Sequence, residues 1–208
     1  MAADVKPLEV NVVSLQWKWL FFYPQYGIAT VNELAAPVDR PIRFQLTSDT
    51  MMDSFFIPAL VGQVYAMPGM QTILHGVINK PGEYKGFSAN YSGLGFTDMR
   101  FTFHGLDTQD FDAWVAKVRA AGGDLDTATY DQLRKPTRDA PVHYYARFEP
   151  DLYTRILNLC VDPGQICLSE MMAAGTHGGG AMRDMHGHDA MSMPMDAPTP
   201  TAPAAATH

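Results

Sequence analysis

The sequence predicts a mainly β domain of Greek-key sandwich or barrel type, followed by a small helical extension and a polar tail. Short segments between residues 8 and 106 alternate apolar and polar residues with the period of two that strands have. Pro and Gly residues separate these segments at intervals typical of sandwiches and barrels. After residue 106 the apolar period becomes that of a helix, and after residue 170 branched aliphatic residues are absent.

Length and composition permit a folded core and exclude one class of function. The chain has 208 residues, of which 47% are hydrophobic, and a chain of this length buries well over half of its unfolded surface. It carries 15 basic and 22 acidic residues, for a net charge of −7. A nucleic-acid-binding protein needs a basic face to neutralise phosphates, so this balance argues against nucleic acid as a partner.

The β pattern is confined to the first half of the chain. Five segments carry it: Leu8 to Val12, Gln16 to Trp19, Ile42 to Leu46, Thr72 to Val77, and Arg100 to Phe103. Turn signals such as Pro37-Val38-Asp39 and Lys80-Pro81-Gly82 lie between them. We therefore assign a β domain to residues 1–106.

Residues 107–170 are predicted to form a helical extension with one further strand. Asp107 or Thr108 is a suitable cap for a first helix. Its apolar stripe is Phe111, Trp114, Val115 and Val118, at the spacing of one helix face. The remaining predicted elements are a helix from Thr127 to Arg134, a strand from Val142 to Phe148, and a helix after Pro150.

Residues 171–208 are predicted to be a disordered tail. They contain seven of the 13 Met and four of the seven His, and they lack the apolar residues that a core requires. Thioethers and imidazoles are ligands that suit Cu(I) and Cu(II) respectively. The sequence therefore leaves two interpretations open, a solvated tail and a weak copper-binding tail.

The stretch from Pro81 to Met99 carries the most informative motif. It opens with Pro-Gly-Glu-Tyr-Lys-Gly and continues as Phe-Ser-Ala-Asn-Tyr-Ser-Gly-Leu-Gly-Phe-Thr-Asp-Met. It resembles the copper loop of subunit II of the haem–copper respiratory oxidases, which reads C-x-E-x-C-x3-H-x2-M after a P-G-x-Y-x-G lead-in. The lead-in and the loop length are intact, but most ligands are replaced. Ser88 and Ser92 stand for the thiolates, Asn90 for the glutamate and Phe96 for the histidine, and only Met99 remains.

Two further blocks are similar to the same family, in the same order along the chain. The segment Asp53 to Pro58, Asp-Ser-Phe-Phe-Ile-Pro, resembles the family's H-S-W-x-V-P segment, and Asp53 takes the place of its histidine. The segment Gln16 to Trp19 resembles the family's Q-W-x-W strand. The resemblance covers about residues 8–106 and implies a cupredoxin-like fold. The Phe111 to Val118 helix and the Met/His tail also resemble the C-terminal extension of the family's quinol oxidase branch.

Loss of the binuclear copper ligands marks that quinol oxidase branch. The resemblance implies a periplasmic domain of a ubiquinol oxidase subunit, in a complex that oxidises ubiquinol, reduces oxygen and translocates protons. The domain is then expected to be a non-catalytic, structural subunit without its own cofactor, while haems and copper belong to the large subunit. Its expected partners are that subunit and other membrane subunits, with no cytochrome c docking. The expected location is the periplasmic side of the bacterial inner membrane.

The chemistry of the replacements also predicts a copper-free site. A binuclear copper site requires thiolate bridges, whereas serine hydroxyls stay protonated and Phe96 has no donor atom. We therefore assign no metal, cofactor or catalytic residue, and regard Asp53, Ser88, Asn90, Ser92, Phe96 and Met99 as vestigial copper-site positions. Two alternatives remain. A mononuclear blue-copper protein would need a thiolate beside two imidazoles, but the predicted β domain contains no cysteine. A periplasmic copper-handling protein is suggested by the Met/His tail alone.

Two expectations concern the rest of the chain. No segment approaches the roughly 20 apolar residues that cross a bilayer, so we expect the transmembrane anchor of the family to be absent from this chain. Cys160 and Cys167 are the only cysteines, and the implied compartment is oxidising. The Pro-Gly turn between them favours a disulfide, with two unpaired thiols as the alternative.

Overall fold

The computed structural model describes residues 5–60 and 62–176, and strands dominate its first part. Ten strands precede residue 107: β1 (Leu8–Leu15), β2 (Lys18–Tyr23), β3 (Ile28–Val31), β4 (Glu33–Pro37), β5 (Ile42–Ser48), β6 (Asp53–Phe56), β7 (Gln63–Ala66), β8 (Thr72–Gly76), β9 (Gly82–Ser88) and β10 (Arg100–Leu106). A short 3-10 turn, Phe96–Asp98, lies in the connection between the last two.

The remaining described residues form short helices and three very short strands: α1 (Thr108–Ala120), β11 (Asp124–Leu125), α2 (Thr127–Leu133), β12 (His143–Tyr145), β13 (Arg147–Phe148), α3 (Leu152–Leu157) and α4 (Leu168–Thr176). Helix α1 begins as predicted, because the Asp107 carboxylate accepts a hydrogen bond from the backbone N–H of Asp110. Its predicted apolar stripe is buried. No helix in this described part of the chain is long and apolar enough to cross a bilayer.

Two large sheets face each other. One has six strands in the order β12-β3-β2-β1-β5-β8, and the other has five in the order β4-β10-β9-β6-β7. The pairs β1–β5 and β4–β10 are parallel, and the other pairs within these two sheets are antiparallel. Strands that are distant in the chain are therefore neighbours in space.

The main core lies between the sheets and is rich in aromatic side chains. The ring of Phe55 lies 5.1 Å from Trp19, 5.5 Å from Phe44 and 5.3 Å from Phe101, measured between centroids. All four side chains are buried. Edge-to-face and offset contacts of this kind add to the free energy gained from burial alone. This cluster joins the two sheets across the centre of the domain.

A second core lies on the outer face of the six-stranded sheet. Its sheet residues are Val13, Leu15, Leu20, Phe22, Ala29 and Val31, and its residues from the extension are Leu125, Tyr130, Leu152, Tyr153, Ile156 and Val161. The extension therefore covers the sheet instead of standing apart from it. Strands β2 and β3 are buried on both faces as a result.

The structure corrects the predicted extension in two places. The single strand predicted from Val142 to Phe148 is divided, because β12 pairs with β3 of the large sheet whereas β13 pairs with β11. The chain changes sheets at Ala146, whose backbone N–H binds the Gly123 carbonyl at 2.9 Å. The predicted tail from residue 171 begins inside α4, which good helix formers carry on to Thr176. Residues 177–208 of that tail lie outside the described residues.

Candidate functional site

The loop that connects β9 to β10 folds back onto the beginning of β6. The backbone N–H of Ala89 binds the Ser54 carbonyl at 3.0 Å, and the N–H of Ser88 binds the Met99 carbonyl at 3.1 Å. These bonds close the loop and bring its polar side chains to Asp53. The structure thus gathers Asp53, Ser88 and Ser92, which are distant in sequence, into one buried cluster.

The Asp53 carboxyl group is the centre of this cluster. The side chain is 1% exposed, and the hydroxyls of Ser14 and Ser88 donate hydrogen bonds to its two oxygens. Burial raises the pKa of Asp53, while the hydrogen bonds from the Ser14 and Ser88 hydroxyls partly oppose that rise by stabilising the carboxylate. Burial is the larger effect, so the pKa of Asp53 lies above the usual value of an aspartate.

Trp17 fixes the loop from the side of β1 and β2. Its indole N–H donates to the Ser92 carbonyl at 3.1 Å, and its ring lies directly over Gly95. A Cβ atom at Gly95 would come within 2.2 Å of the Trp17 ring, so only glycine permits this approach. Trp19, by contrast, is 0% exposed and packs in the main core. The two tryptophans therefore have different structural roles.

The other predicted positions surround the cluster. The Asn90 side chain donates to the Met52 carbonyl at 3.3 Å. The Phe96 ring packs edge-on against Tyr91, with centroids 5.1 Å apart. Met99 is 0% exposed and belongs to the main core. The structure therefore places the side chains of Asn90 and Phe96 in contacts of their own and not in hydrogen bonds to Asp53.

These groups do not fit a thiolate-bridged copper pair. The six vestigial positions offer two hydroxyls, one carboxyl, one amide and one thioether, and the phenyl ring of Phe96 offers no donor. Copper pairs of that kind require thiolates and imidazoles. Within residues 5–60 and 62–176, no three His, Cys, Asp or Glu side chains are grouped so that they could hold a metal ion.

The two cysteines lie in the extension, far along the chain from the loop. Cys160 and Cys167 form a disulfide with their Cα atoms 4.8 Å apart. Inside the closed segment, Asp162 accepts a hydrogen bond from Arg134 at 2.7 Å. The bridge thus holds a segment that is tied to the end of α2.

Sequence reasoning missed two buried polar residues, of which Ser14 belongs to the site and Lys18 lies elsewhere, beside the end of α2. Ser14 supplies a hydrogen bond to Asp53 from β1, 39 residues away. Lys18 is buried at the start of β2, where its position in a strand-like run gave no signal of an unusual environment. A basic residue within an apolar strand that is covered on both faces is the pattern that identifies it. That pattern becomes visible only when the covering extension is known.

The comparisons with known proteins agree with the predicted family. Residues 28–105 match the family model described as cytochrome c oxidase subunit II, periplasmic domain, and residues 119–164 match the aromatic-rich motif model of the same oxidases. The periplasmic domain of subunit II of cytochrome oxidase from Bradyrhizobium japonicum has a TM-score of 0.52 and 22% identity. That comparison covers 56% of this chain and 96% of the other, and it shows the fold.

Curated relatives narrow the assignment. Cytochrome bo(3) ubiquinol oxidase subunit 2 of Pseudomonas aeruginosa is 46% identical over 194 residues, which are 93% of this chain and 58% of the relative. Ubiquinol oxidase subunit 2 of Acetobacter aceti is 52% identical over 155 residues, which are 74% of this chain and 50% of the relative. The chain thus spans between half and three fifths of the length of these two relatives.

The fold and the loop together define a cupredoxin-like domain of the oxidase subunit II class. Within that class, the chain belongs to the family of subunit II of the bo-type quinol oxidases.

Proposed function

We propose that this chain is the periplasmic domain of subunit II in a ubiquinol oxidase complex, where it has a structural and assembly role without redox chemistry of its own. The names of its relatives support the complex. The Asp53 cluster supports the structural role, because the position of the family's copper pair is occupied by a buried carboxyl group and the hydroxyls that bind it. Such a cluster stabilises the loop but cannot accept or donate an electron.

The proposal includes partners and a location. The partners are the large catalytic subunit, which would hold the haems and copper of the complex, and the other membrane subunits. The domain would lie on the periplasmic side of the bacterial inner membrane and would need no cytochrome c docking surface. The physical reason is that a loop without thiolates or imidazoles offers cytochrome c no copper pair to reduce.

Purification of the gene product that contains this chain tests the assignment to a complex. The product would be tagged, expressed from its own locus and purified in mild detergent. We expect haem-containing membrane subunits to co-purify, and the complex to consume oxygen with ubiquinol but not with reduced cytochrome c. Oxidation of cytochrome c would contradict the proposal, and so would purification without any haem protein.

Copper titration tests the structural role separately. The wild-type chain is expected to bind no copper at the loop. The five-fold variant Asp53→His, Ser88→Cys, Asn90→Glu, Ser92→Cys and Phe96→His restores two thiolates, two imidazoles and the loop glutamate beside Met99. It should bind two copper ions and become strongly coloured.

A four-fold variant that keeps Ser92 is the matched control, because one thiolate cannot bridge the pair as two do. To keep the tail from contributing, the titration is repeated on chains that end after Thr176. A folded but colourless five-fold variant would show that the loop geometry has diverged from the family. Stoichiometric copper in the wild-type core would overturn the structural role.

A further inference from the structure

Lys18 is a buried base without an acidic partner. It is the first residue of β2 and is 2% exposed. Its ammonium group donates to the carbonyls of Leu133 and Lys135 at 2.8 and 2.7 Å, at the C-terminal end of α2. An ammonium group has three N–H donors, and the described residues supply these two acceptors. One donor is left for another group, and within the described residues the positive charge has only these carbonyls, at the negative end of α2, as hydrogen-bond partners.

A cavity of about 260 Å³ adjoins Lys18 and is open at the surface. Its lining is Lys18, Thr129, Gln132, Leu133, Thr137, Ala140, Pro141, His143 and Tyr145. This lining contains no carboxylate but offers amide, hydroxyl and imidazole groups that can donate hydrogen bonds. Gln132 and His143 are exposed at the rim, whereas Lys18 is buried.

The charges around the cavity favour an anion. The ammonium group of Lys135 binds the Gln132 side-chain oxygen at 2.6 Å, so a second positive charge lies at the rim and the Gln132 amide N–H groups stay available. Two carboxylates of this region are engaged elsewhere. Asp131 pairs with Arg134 at 3.5 Å, and Asp98 pairs with Arg138 at 3.0 Å. Lys18 itself forms no salt bridge with a carboxylate of the described residues.

The cost of burying Lys18 is also visible in its proton affinity. Burial lowers the pKa of Lys18 from its usual value near 10.5 to about 8. A bound anion would reverse this effect, since an opposite charge within hydrogen-bonding distance stabilises the ammonium form. The two carbonyls would be sufficient partners for a lysine that only caps α2. Such a role does not explain the open cavity lined with hydrogen-bond donors beside Lys18.

We propose that the cavity beside Lys18 is a binding site for a small oxyanion, either a carboxylate or a phosphate group. The ammonium group of Lys18 supplies the buried charge, and Gln132 supplies a neutral donor at the rim. The site joins β2 to the extension, so an occupant would also strengthen the contact between them. This inference does not depend on the assignment to a quinol oxidase.

Nuclear magnetic resonance of the lysine side chains tests the site in the full 208-residue chain. The chain contains six lysines, so labelling their Cε atoms with carbon-13 gives a simple spectrum with five internal controls. Sodium phosphate and sodium acetate are titrated separately, with sodium chloride at matched ionic strength as reference. We expect a saturable change at Lys18 with phosphate or acetate, and a rise in the pKa of Lys18 on the order of one pH unit.

Variants separate binding from general salt effects. Gln132→Ala alters an exposed residue and should weaken the anion response of Lys18 several-fold while the spectrum stays that of a folded chain. A bound anion should also raise the unfolding temperature of the wild-type chain above its value in sodium chloride, and Lys18→Met should abolish this increase. Lys80→Met removes an exposed lysine elsewhere and is the charge-matched control. A response to phosphate alone or to acetate alone identifies the oxyanion. No saturable response at Lys18 in the wild-type chain, or the same response to chloride, overturns the proposal.

Discussion

Strands β2 and β3 of the six-stranded sheet are buried on both faces, but different parts of the chain cover the two faces. On the inner face, Phe21 packs against Phe101 of the second sheet, with centroids 5.1 Å apart. On the outer face, its neighbour Phe22 packs against Phe148 of the extension, also at 5.1 Å. Because successive residues of β2 point to opposite faces, double burial produces an uninterrupted apolar run. Such a run in an otherwise alternating domain indicates that a second layer covers the sheet.

The two faces also differ in their polar contacts. On the inner side, a buried polar cluster lies around Asp53 beside the main core. On the outer side, polar contacts tie the extension to the sheet and its loops at several points. Tyr130 donates to Asp49 at 2.8 Å, and Tyr153 donates to the Gln45 carbonyl at 3.1 Å. We therefore expect the extension and the sandwich to unfold as one unit.

The largest expected effect on stability comes from truncating one buried aromatic side chain on either face of β2. Phe21→Ala and Phe22→Ala each remove a side chain that is 0% exposed. Each should lower the free energy of unfolding by about 3–5 kcal/mol, because a cavity remains in a packed core. Urea unfolding monitored by both fluorescence and circular dichroism measures the loss and should show one transition.

The control for these two variants is Leu94→Ala, since Leu94 is 81% exposed and its truncation should change stability by less than about 0.5 kcal/mol. The comparison between the faces breaks down if Phe22→Ala separates the transition in two or costs no more than Leu94→Ala. In that case the outer layer would be an independent unit.

Removal of the disulfide, which lies in the outer layer, should have the next largest effect. The double variant Cys160→Ser, Cys167→Ser is expected to lose about 2–3 kcal/mol, because the unfolded chain regains the freedom of a short loop. Thermal unfolding measures the loss. The oxidised chain, unfolded without reductant, should show no titratable thiol, and two thiols there would refute the bridge itself.

Removing one hydrogen bond between the outer layer and the sheet domain should lower stability by a smaller amount. Tyr130→Phe keeps the buried ring and deletes only the hydroxyl that binds Asp49. We expect a loss of about 1 kcal/mol, which is typical of one hydrogen bond in a partly buried site. Tyr65→Phe is the matched control, since Tyr65 is 46% exposed. Equal losses in the two variants, measured by urea unfolding, would remove the Asp49 contact from the account of the interface.

Asp53→Asn is expected to change the free energy of unfolding least at low pH. The size of its effect should depend on pH. Burial raises the pKa of Asp53 in the folded state, so the folded chain keeps this proton at pH values where the unfolded chain has lost it. Ionisation of Asp53 therefore lowers wild-type stability as the pH rises from about 4 through the folded pKa.

The asparagine variant lacks this ionisation. Its amide oxygen can accept from one serine hydroxyl, and its NH2 group can donate to the other. Its stability should be close to that of the wild type near pH 4 and should increase relative to the wild type towards neutral pH. Paired urea unfolding curves from pH 4 to 8 measure the difference. A difference that does not change with pH would mean that the carboxyl group has an ordinary pKa.

Local sequence patterns predicted a substantial part of the fold. Alternation predicted strands such as β1 and β5, and the stripe from Phe111 to Val118 predicted α1 with its Asp107 cap. The family of the loop was predicted from the resemblance of the Pro81 to Met99 segment to the copper loop of the oxidases. These features are local, because strand period, helix caps and turn residues depend on neighbours within a few positions.

Only the tertiary structure decided which faces and which charges are buried. Lys18 donates hydrogen bonds to the carbonyls of Leu133 and Lys135, which lie 115 and 117 positions further along the chain. Ser14 donates to Asp53, which is 39 positions away. Similarly, the predicted strand at Val142 to Phe148 divides because its two halves find partners in different sheets. The sequence by itself determined the elements and the copper-ligand replacements. The burial of Asp53 and Lys18 depends on contacts between distant segments, whose free energy no local pattern encodes.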